Sequence, residues 1–210
     1  LMAANSRATA DPQAQYDDGR TGHADDTTGP KGPVESGWTV TLTDGSSKYP
    51  VPPVGYDGRA YAGSDDGNVS AFHTSNGTHI WTSRNNTDHE IRSLTVANDT
   101  LYVSGSVPNG NSDVFALDPE TGTENWGTSL GDLGTYSQIV ERNDRLYVTA
   151  TELFDKGYLY AINATDGTVD WQYETDWRLW EGGVAYTNDT VFVGDGEGHN
   201  LPNDGGVYAV

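Results

Sequence analysis

Ala116-Leu117-Asp118-Pro119-Glu120-Thr121-Gly122-Thr123-Glu124-Asn125-Trp126 is the stretch on which the reading of this chain turns, because two other segments align with it without a gap. They are Ala71-Phe72-His73-Thr74-Ser75-Asn76-Gly77-Thr78-His79-Ile80-Trp81 and Ala161-Ile162-Asn163-Ala164-Thr165-Asp166-Gly167-Thr168-Val169-Asp170-Trp171. Alanine, glycine and tryptophan recur in all three at a spacing of 45 residues. A second register agrees: Asn98-Asp99, Asn143-Asp144 and Asn188-Asp189 are also 45 apart, followed by the apolar triplets Leu101-Tyr102-Val103, Leu146-Tyr147-Val148 and Val191-Phe192-Val193. A fixed period of this length marks one supersecondary unit repeated along the chain.

Each unit reads as four short strands separated by turn signals, in the second unit Ile91 to Ala97, Thr100 to Ser104, Asp113 to Leu117 and Thr123 to Gly127. Asn and Asp tolerate positive φ and cap their own backbone, so Asn-Asp closes the first hairpin. The glycines at 77, 122 and 167 close the last hairpin for the same steric reason. No segment has helical periodicity. The expected fold is all-β, a β-propeller of four-stranded blades about a common axis. Trp81, Trp126 and Trp171 end the repeated motif on the outer strand and are expected, with Trp38, to dock each blade on its neighbour. Burying about 200 Å² of such a ring contributes at most about 5 kcal/mol.

Units ending at Trp81, Trp126 and Trp171 are complete, whereas the last stops at Val207-Tyr208-Ala209-Val210. Gly37-Trp38-Thr39-Val40 reads as a final strand without the rest of its blade. The expected organisation is an extended leader over residues 1–36, then about three and a half blades over 37–210 plus that spare N-terminal strand. The spare strand could complete the last blade within one chain. Otherwise the chain, which begins at Leu1, is a processed form or a piece of a larger ring, or two copies close a ring together. An unpaired sheet edge invites association, so the incomplete blade is also an expected homo-oligomer contact.

The pattern Ala-x-Asp-x-x-Thr-Gly-x-x-x-Trp resembles the pyrroloquinoline-quinone-like (PQQ-like) propeller repeat of quinoprotein alcohol dehydrogenases and of the outer-membrane assembly lipoprotein. Ala116 to Trp126 carries every fixed position; His73 and Asn163 stand in place of the aspartate, and Asn76 and Asp166 in place of the threonine. The resemblance runs from Trp38 to the end, and Asp18-Gly19-Arg20-Thr21-Gly22 with Thr28-Gly29-Pro30 is similar to the leader of archaeal members. It implies a ring of seven or eight blades. In the dehydrogenase branch it implies a quinone and a calcium ion on the axis, a catalytic aspartate and often a vicinal disulfide. This chain has no cysteine, and no segment matches the cofactor or aspartate motifs. No catalytic residue, metal ligand or cofactor is therefore expected. A fragment of a PQQ-dependent dehydrogenase is kept as the alternative to a non-catalytic binding scaffold.

Charge and sequons bear on location and partners. The net charge is −20, with 31 acidic residues against three lysines, Lys31, Lys48 and Lys156. Such a surface repels nucleic acid and anionic lipid. The acids are spread over nearly every turn, the pattern expected of a halophilic archaeal protein, in which high salt screens self-repulsion. Asn-x-Ser/Thr occurs at Asn68, Asn76, Asn85, Asn98, Asn163 and Asn188, in or beside turns, so an extracellular or cell-surface glycoprotein is expected. Ser64-Asp65-Asp66-Gly67-Asn68 and Gly194-Asp195-Gly196-Glu197-Gly198 carry oxygen donors without calcium-loop spacing and read as solvated turns.

Trp177 and Trp180, in Asp176-Trp177-Arg178-Leu179-Trp180-Glu181, fall outside the 45-residue register. Two readings stay open: the rings plug the central channel, or with Arg178 they form a platform for a glycan or protein partner.

Overall fold

The computed structural model describes residues 35–42, 51–84, 90–106, 112–135, 139–152, 156–176, 178–179, 183–194 and 206–210. The leader up to residue 34, Asn85, Trp177, Trp180 and the loop from Asp195 to Gly198 lie outside the described residues. Among the described residues every regular element is a strand.

Four antiparallel sheets follow one another along the chain. The first contains β1 (Val54–Tyr56), β2 (Arg59–Gly63), β3 (Asn68–His73) and β4 (His79–Arg84), and the second β5 (Glu90–Ala97), β6 (Thr100–Ser106), β7 (Ser112–Leu117) and β8 (Glu124–Gly131). The third contains β9 (Gly134–Thr135), β10 (Val140–Arg142), β11 (Arg145–Thr151), β12 (Gly157–Asn163) and β13 (Val169–Thr175); the fourth contains β14 (Val184–Thr187), β15 (Thr190–Gly194) and β16 (Val207–Ala209). Strand order within each sheet is sequence order, with the two-residue β9 pairing β11 off the main path. The all-β propeller blades are therefore present as meanders. The outer strand of the second blade runs to Gly131 rather than Gly127, because β7 offers it a pairing edge as far as Ser112.

The first hairpin of each blade turns on two residues of positive φ, as a two-residue turn matched to strand twist requires. Asn98 and Asp99 have φ of 48° and 56°, Asn143 and Asp144 54° and 58°, and Asn188 and Asp189 49° and 57°. In the first blade Asp57 and Gly58 do the same work, at 46° and 74°. The third and fourth strands of the first three blades share one irregularity. Ala71, Ala116 and Ala161 face Trp81, Trp126 and Trp171, and the next pair skips Ile80, Asn125 or Asp170. This extra residue bends the outer strand just before its tryptophan.

Adjacent side chains on a strand point to opposite faces, so each sheet contributes to two cores. Val103 packs with Tyr61, Val69 and Trp81 between the first and second sheets, whereas its neighbour Tyr102 packs with Leu146, Val148 and Ile162 between the second and third. Val140, Tyr147, Leu159, Val184 and Val191 fill the space between the third and fourth. The sheets thus stand face to face in an arc. Residues 35–42 have no ladder partner among the described residues, yet Trp38 in this segment lies against the first blade.

Candidate functional site

One joint is built repeatedly between blades. The indole Nε1 of Trp38 donates to the Thr74 carbonyl at 2.8 Å, that of Trp81 to the Pro119 carbonyl at 3.2 Å, and that of Trp126 to the Ala164 carbonyl at 3.1 Å. Each acceptor belongs to the last hairpin turn of the following blade. Glycine is required there twice over: Gly77, Gly122 and Gly167 have φ of 70°, 72° and 75°, and a Cβ on them would lie 2.7, 2.6 and 2.5 Å from the rings of Trp38, Trp81 and Trp126. A tyrosine on the second strand completes the joint. Tyr61 donates to the Pro119 carbonyl at 3.0 Å and Tyr102 to the Ala164 carbonyl at 3.3 Å, so one backbone oxygen takes two side-chain donors. The Tyr61 and Trp81 centroids are 5.8 Å apart and those of Tyr102 and Trp126 6.1 Å, both tilted. Burial pushes the Tyr61 phenol up to about 12 and raises that of Tyr102. Trp171 and Tyr147 make the same pair at 6.0 Å, but neither has an acceptor among the described residues.

The first and last turns of a blade lie side by side at one end of the arc. The Thr74 N–H donates to the Gly58 carbonyl at 2.9 Å, and the Ala164 N–H to the Asp144 carbonyl at 2.9 Å. Side chains in the last turns cap their own backbone. Asp118 Oδ1 accepts from the Glu120 and Thr121 N–H groups at 2.8 Å, Asn76 Oδ1 from Thr78 at 2.9 Å, and Asn163 Oδ1 from Thr165 at 2.8 Å. Desolvation opposes ionisation of Asp118, but the hydrogen bonds from Thr121 and Glu120 outweigh it and hold the carboxyl below its usual range. The Thr168 N–H and hydroxyl do the same for Asp166.

The other end carries a different set. Ser64 Oγ donates to Asp66, which also accepts from the Asn68 side-chain amide at 2.7 Å. Glu90 and Arg92 form a half-buried ion pair, with Arg92 Nε donating to Ser106 Oγ at 3.2 Å. Among the described residues no group of three His, Asp or Glu side chains is arranged to hold a metal, and the Asp66 oxygens are taken by donors of their own loop.

At this end the chain also passes from the third blade to the fourth. Leu179 is fully buried there, packed with Val184 and Val191, and Arg178 beside it is partly buried. This anchors the middle of the link that contains Trp177 and Trp180.

Four-stranded antiparallel sheets docked face to face through tryptophan, tyrosine and a glycine turn define a β-propeller of the PQQ-like class. The family described as outer membrane protein assembly factor BamB matches residues 34–146 and 65–198, and the chain belongs to that family. No curated protein sequence matches it. Among solved structures it is similar to quinohemoprotein alcohol dehydrogenase from Comamonas testosteroni, with TM-score 0.59 and 19% identity over 71% of this chain and 29% of that one. It is also similar to quinohemoprotein alcohol dehydrogenase ADHIIG from Pseudomonas putida HK5, with TM-score 0.58 and 17% identity over 72% and 29%. The computationally designed Ika4 protein gives TM-score 0.60 and 13% identity over 81% of this chain and 94% of that one. The chain thus spans less than a third of either dehydrogenase, and the likeness is one of fold.

The repeated registers contain Tyr102 and Tyr147 without assigning them a role, and they do not mark the acceptors of the joint. Tyr102 and Tyr147 recur 45 residues apart, a signal open to inspection. The acceptor carbonyls of Thr74, Pro119 and Ala164 leave no side-chain signature at all.

Proposed function

We propose that this chain is part of a non-catalytic propeller that displays its loops to a protein or glycan partner on the outside of a halophilic archaeal cell. The observation that carries this reading is the link between the third and fourth blades. Trp177 and Trp180 have no place in the docking repeat, and buried Leu179 between them holds their loop to the core. Aromatic faces beside an arginine suit the apolar faces and polar rims of sugars and peptides. Trp177→Ala is expected to abolish retention on a glycan array or on immobilised surface-layer protein while circular dichroism stays unchanged. Loss of folding instead would favour a channel plug and count against the proposal.

The charge of −20 supports a salt-rich exterior and argues against nucleic acid as a partner. A second copy is the homotypic partner proposed at the outer edge of β16, where Val207 is 77% exposed and β15 is the only strand paired among the described residues. A monomeric mass by static light scattering would dismiss it. The second reading, a fragment of a PQQ-dependent dehydrogenase, is favoured by the likeness to two quinohemoprotein alcohol dehydrogenases. A bound absorption band after addition of PQQ with calcium would favour this reading over the scaffold.

A further inference from the structure

The first hairpin has the same positive-φ backbone in all four blades, yet its chemistry alternates. The first and third blades close with Asp57-Gly58-Arg59 and Asn143-Asp144-Arg145; the second and fourth close with Asn98-Asp99-Thr100 and Asn188-Asp189-Thr190. In the arginine blades these side chains are engaged. Arg59 pairs with Asp57 at 3.5 Å, Arg145 Nε donates to Asp170 at 2.7 Å, and the Asn143 amide donates to the Tyr186 hydroxyl at 3.1 Å. In the threonine blades Asn98 and Asn188 are exposed, and their side-chain amides have no partner among the described residues. The Thr100 and Thr190 hydroxyls lie 3.4 Å from the carbonyl of the asparagine two positions back, so amide and hydroxyl share one exposed turn.

Of the remaining described sequons, Asn68 has its amide engaged by the fold, while Asn76 and Asn163 use their Oδ1 to cap their own turns. Asn68 donates its amide to Asp66, and its Oδ1 is buried without a partner. Asn76 and Asn163 close capping turns that also receive Trp38 and Trp126.

We infer that, among the described sequons, Asn98 and Asn188 are the principal N-glycan acceptors of the folded protein, two blades apart at one end of the arc, and that Asn68 is closed to modification once the chain folds. The inference rests on the proposed exterior location for its biological setting, but its chemistry is independent of it. An oligosaccharyltransferase supplies a polyprenyl-phosphate-linked oligosaccharide. The asparagine Nδ2 forms a bond to the anomeric carbon and loses one proton, while the bond from that carbon to the phosphate oxygen breaks and the lipid phosphate leaves. Sugar at these turns covers the end opposite the link that carries Arg178 and Leu179.

The test is transfer to the folded 210-residue chain by a purified oligosaccharyltransferase with its lipid-linked donor, read site by site by glycopeptide mass spectrometry. Expected are high occupancy at Asn98 and Asn188, low occupancy at Asn76 and Asn163, and none at Asn68 until the chain is unfolded. Thr100→Ala and Thr190→Ala, which leave the turn residues in place, should each remove only their own site. Occupancy at Asn68 in the folded chain equal to that at Asn98, or no transfer to Asn98 and Asn188, overturns the inference. Finding the native protein inside the cell would defeat the location while leaving this sorting of sites intact.

Discussion

The junction between the second and third blades and that between the third and fourth come from the same repeat, but the turn that follows the third strand is part of the 210 residues only in the former, since β16 is the third strand of the last sheet and ends at Ala209. In the former, Trp126 and Tyr102 both donate to the Ala164 carbonyl, and the indole rests on Gly167. In the latter, Trp171 and Tyr147 keep the same mutual geometry but find no acceptor among the described residues, and Tyr147 stacks on Tyr186 at 5.7 Å instead. A sheet thus positions its own aromatic pair, and the turn of the following blade converts that pair into a joint. Within these 210 residues the pair Trp171 and Tyr147 is without its facing turn.

Substituting the two tryptophans is the most severe test of that difference. Trp126→Ala should cost about 3–5 kcal/mol, the range for deleting a large packed aromatic ring. Trp171→Ala should cost less than half as much, with both measured by urea unfolding at constant molar KCl. Equal losses would break the comparison, because the turn would then contribute nothing.

The turn side of the joint can be isolated by a glycine pair. Gly122→Ala meets both the strain of φ 72° and the Trp81 ring, so about 1–2 kcal/mol of backbone cost adds to about 1–3 kcal/mol of overpacking. Gly131, at φ 87° with open space around its Cβ position, should show the backbone cost alone. The difference in midpoint between the two variants measures the indole contact. Identical midpoints would show that the ring retreats freely.

Hydroxyl deletion gives a finer contrast. Tyr102→Phe removes one of the two donors to the Ala164 carbonyl and should cost about 1 kcal/mol. Tyr147→Phe, whose hydroxyl has no partner among the described residues, should cost less than Tyr102→Phe. A larger loss at Tyr147 than at Tyr102 would reverse the assignment of the two junctions.

The smallest effect is in the pH profile of stability. Tyr61 ionises at about 12 in the folded chain against 10.0 for an ordinary tyrosine, and Tyr102 is also raised. The unfolded chain therefore releases these protons first. Their stabilisation is complete below pH 10 and is lost as pH rises from there towards 12. Asp118 and Asp166 act in the opposite sense: held low by turn hydrogen bonds, they stabilise above the ordinary carboxylate range and lose that contribution as pH falls through their folded values. Tyr61→Phe should flatten the alkaline limb and leave the acid limb unchanged in denaturant midpoints taken across pH.

Much of the fold was legible before any coordinates. Asn98-Asp99 and its two counterparts announce hairpins because few residues accept positive φ, and Gly122 with Trp126 announces a repeat because both recur at one interval. The first blade was less legible. Its hairpin uses Asp57-Gly58 and stands 41 residues before Asn98, outside the common spacing. Sequon spacing placed Asn98 and Asn188 in turns; it did not separate them from Asn68, whose amide is sequestered by Asp66 in a local bond that no motif encodes.

The sequence by itself determined the four-stranded unit, its period and its turns, since these depend on side-chain alternation and on backbone angles that glycine, asparagine and aspartate permit. Only the tertiary structure decided what each aromatic pair touches and which asparagines remain open. The acceptors of Trp38, Trp81 and Trp126 are main-chain oxygens of Thr74, Pro119 and Ala164, three residues of unlike side chain. A carbonyl is present at every position, so its selection as a partner is written in the geometry of docking and not in the identity of the residue that bears it.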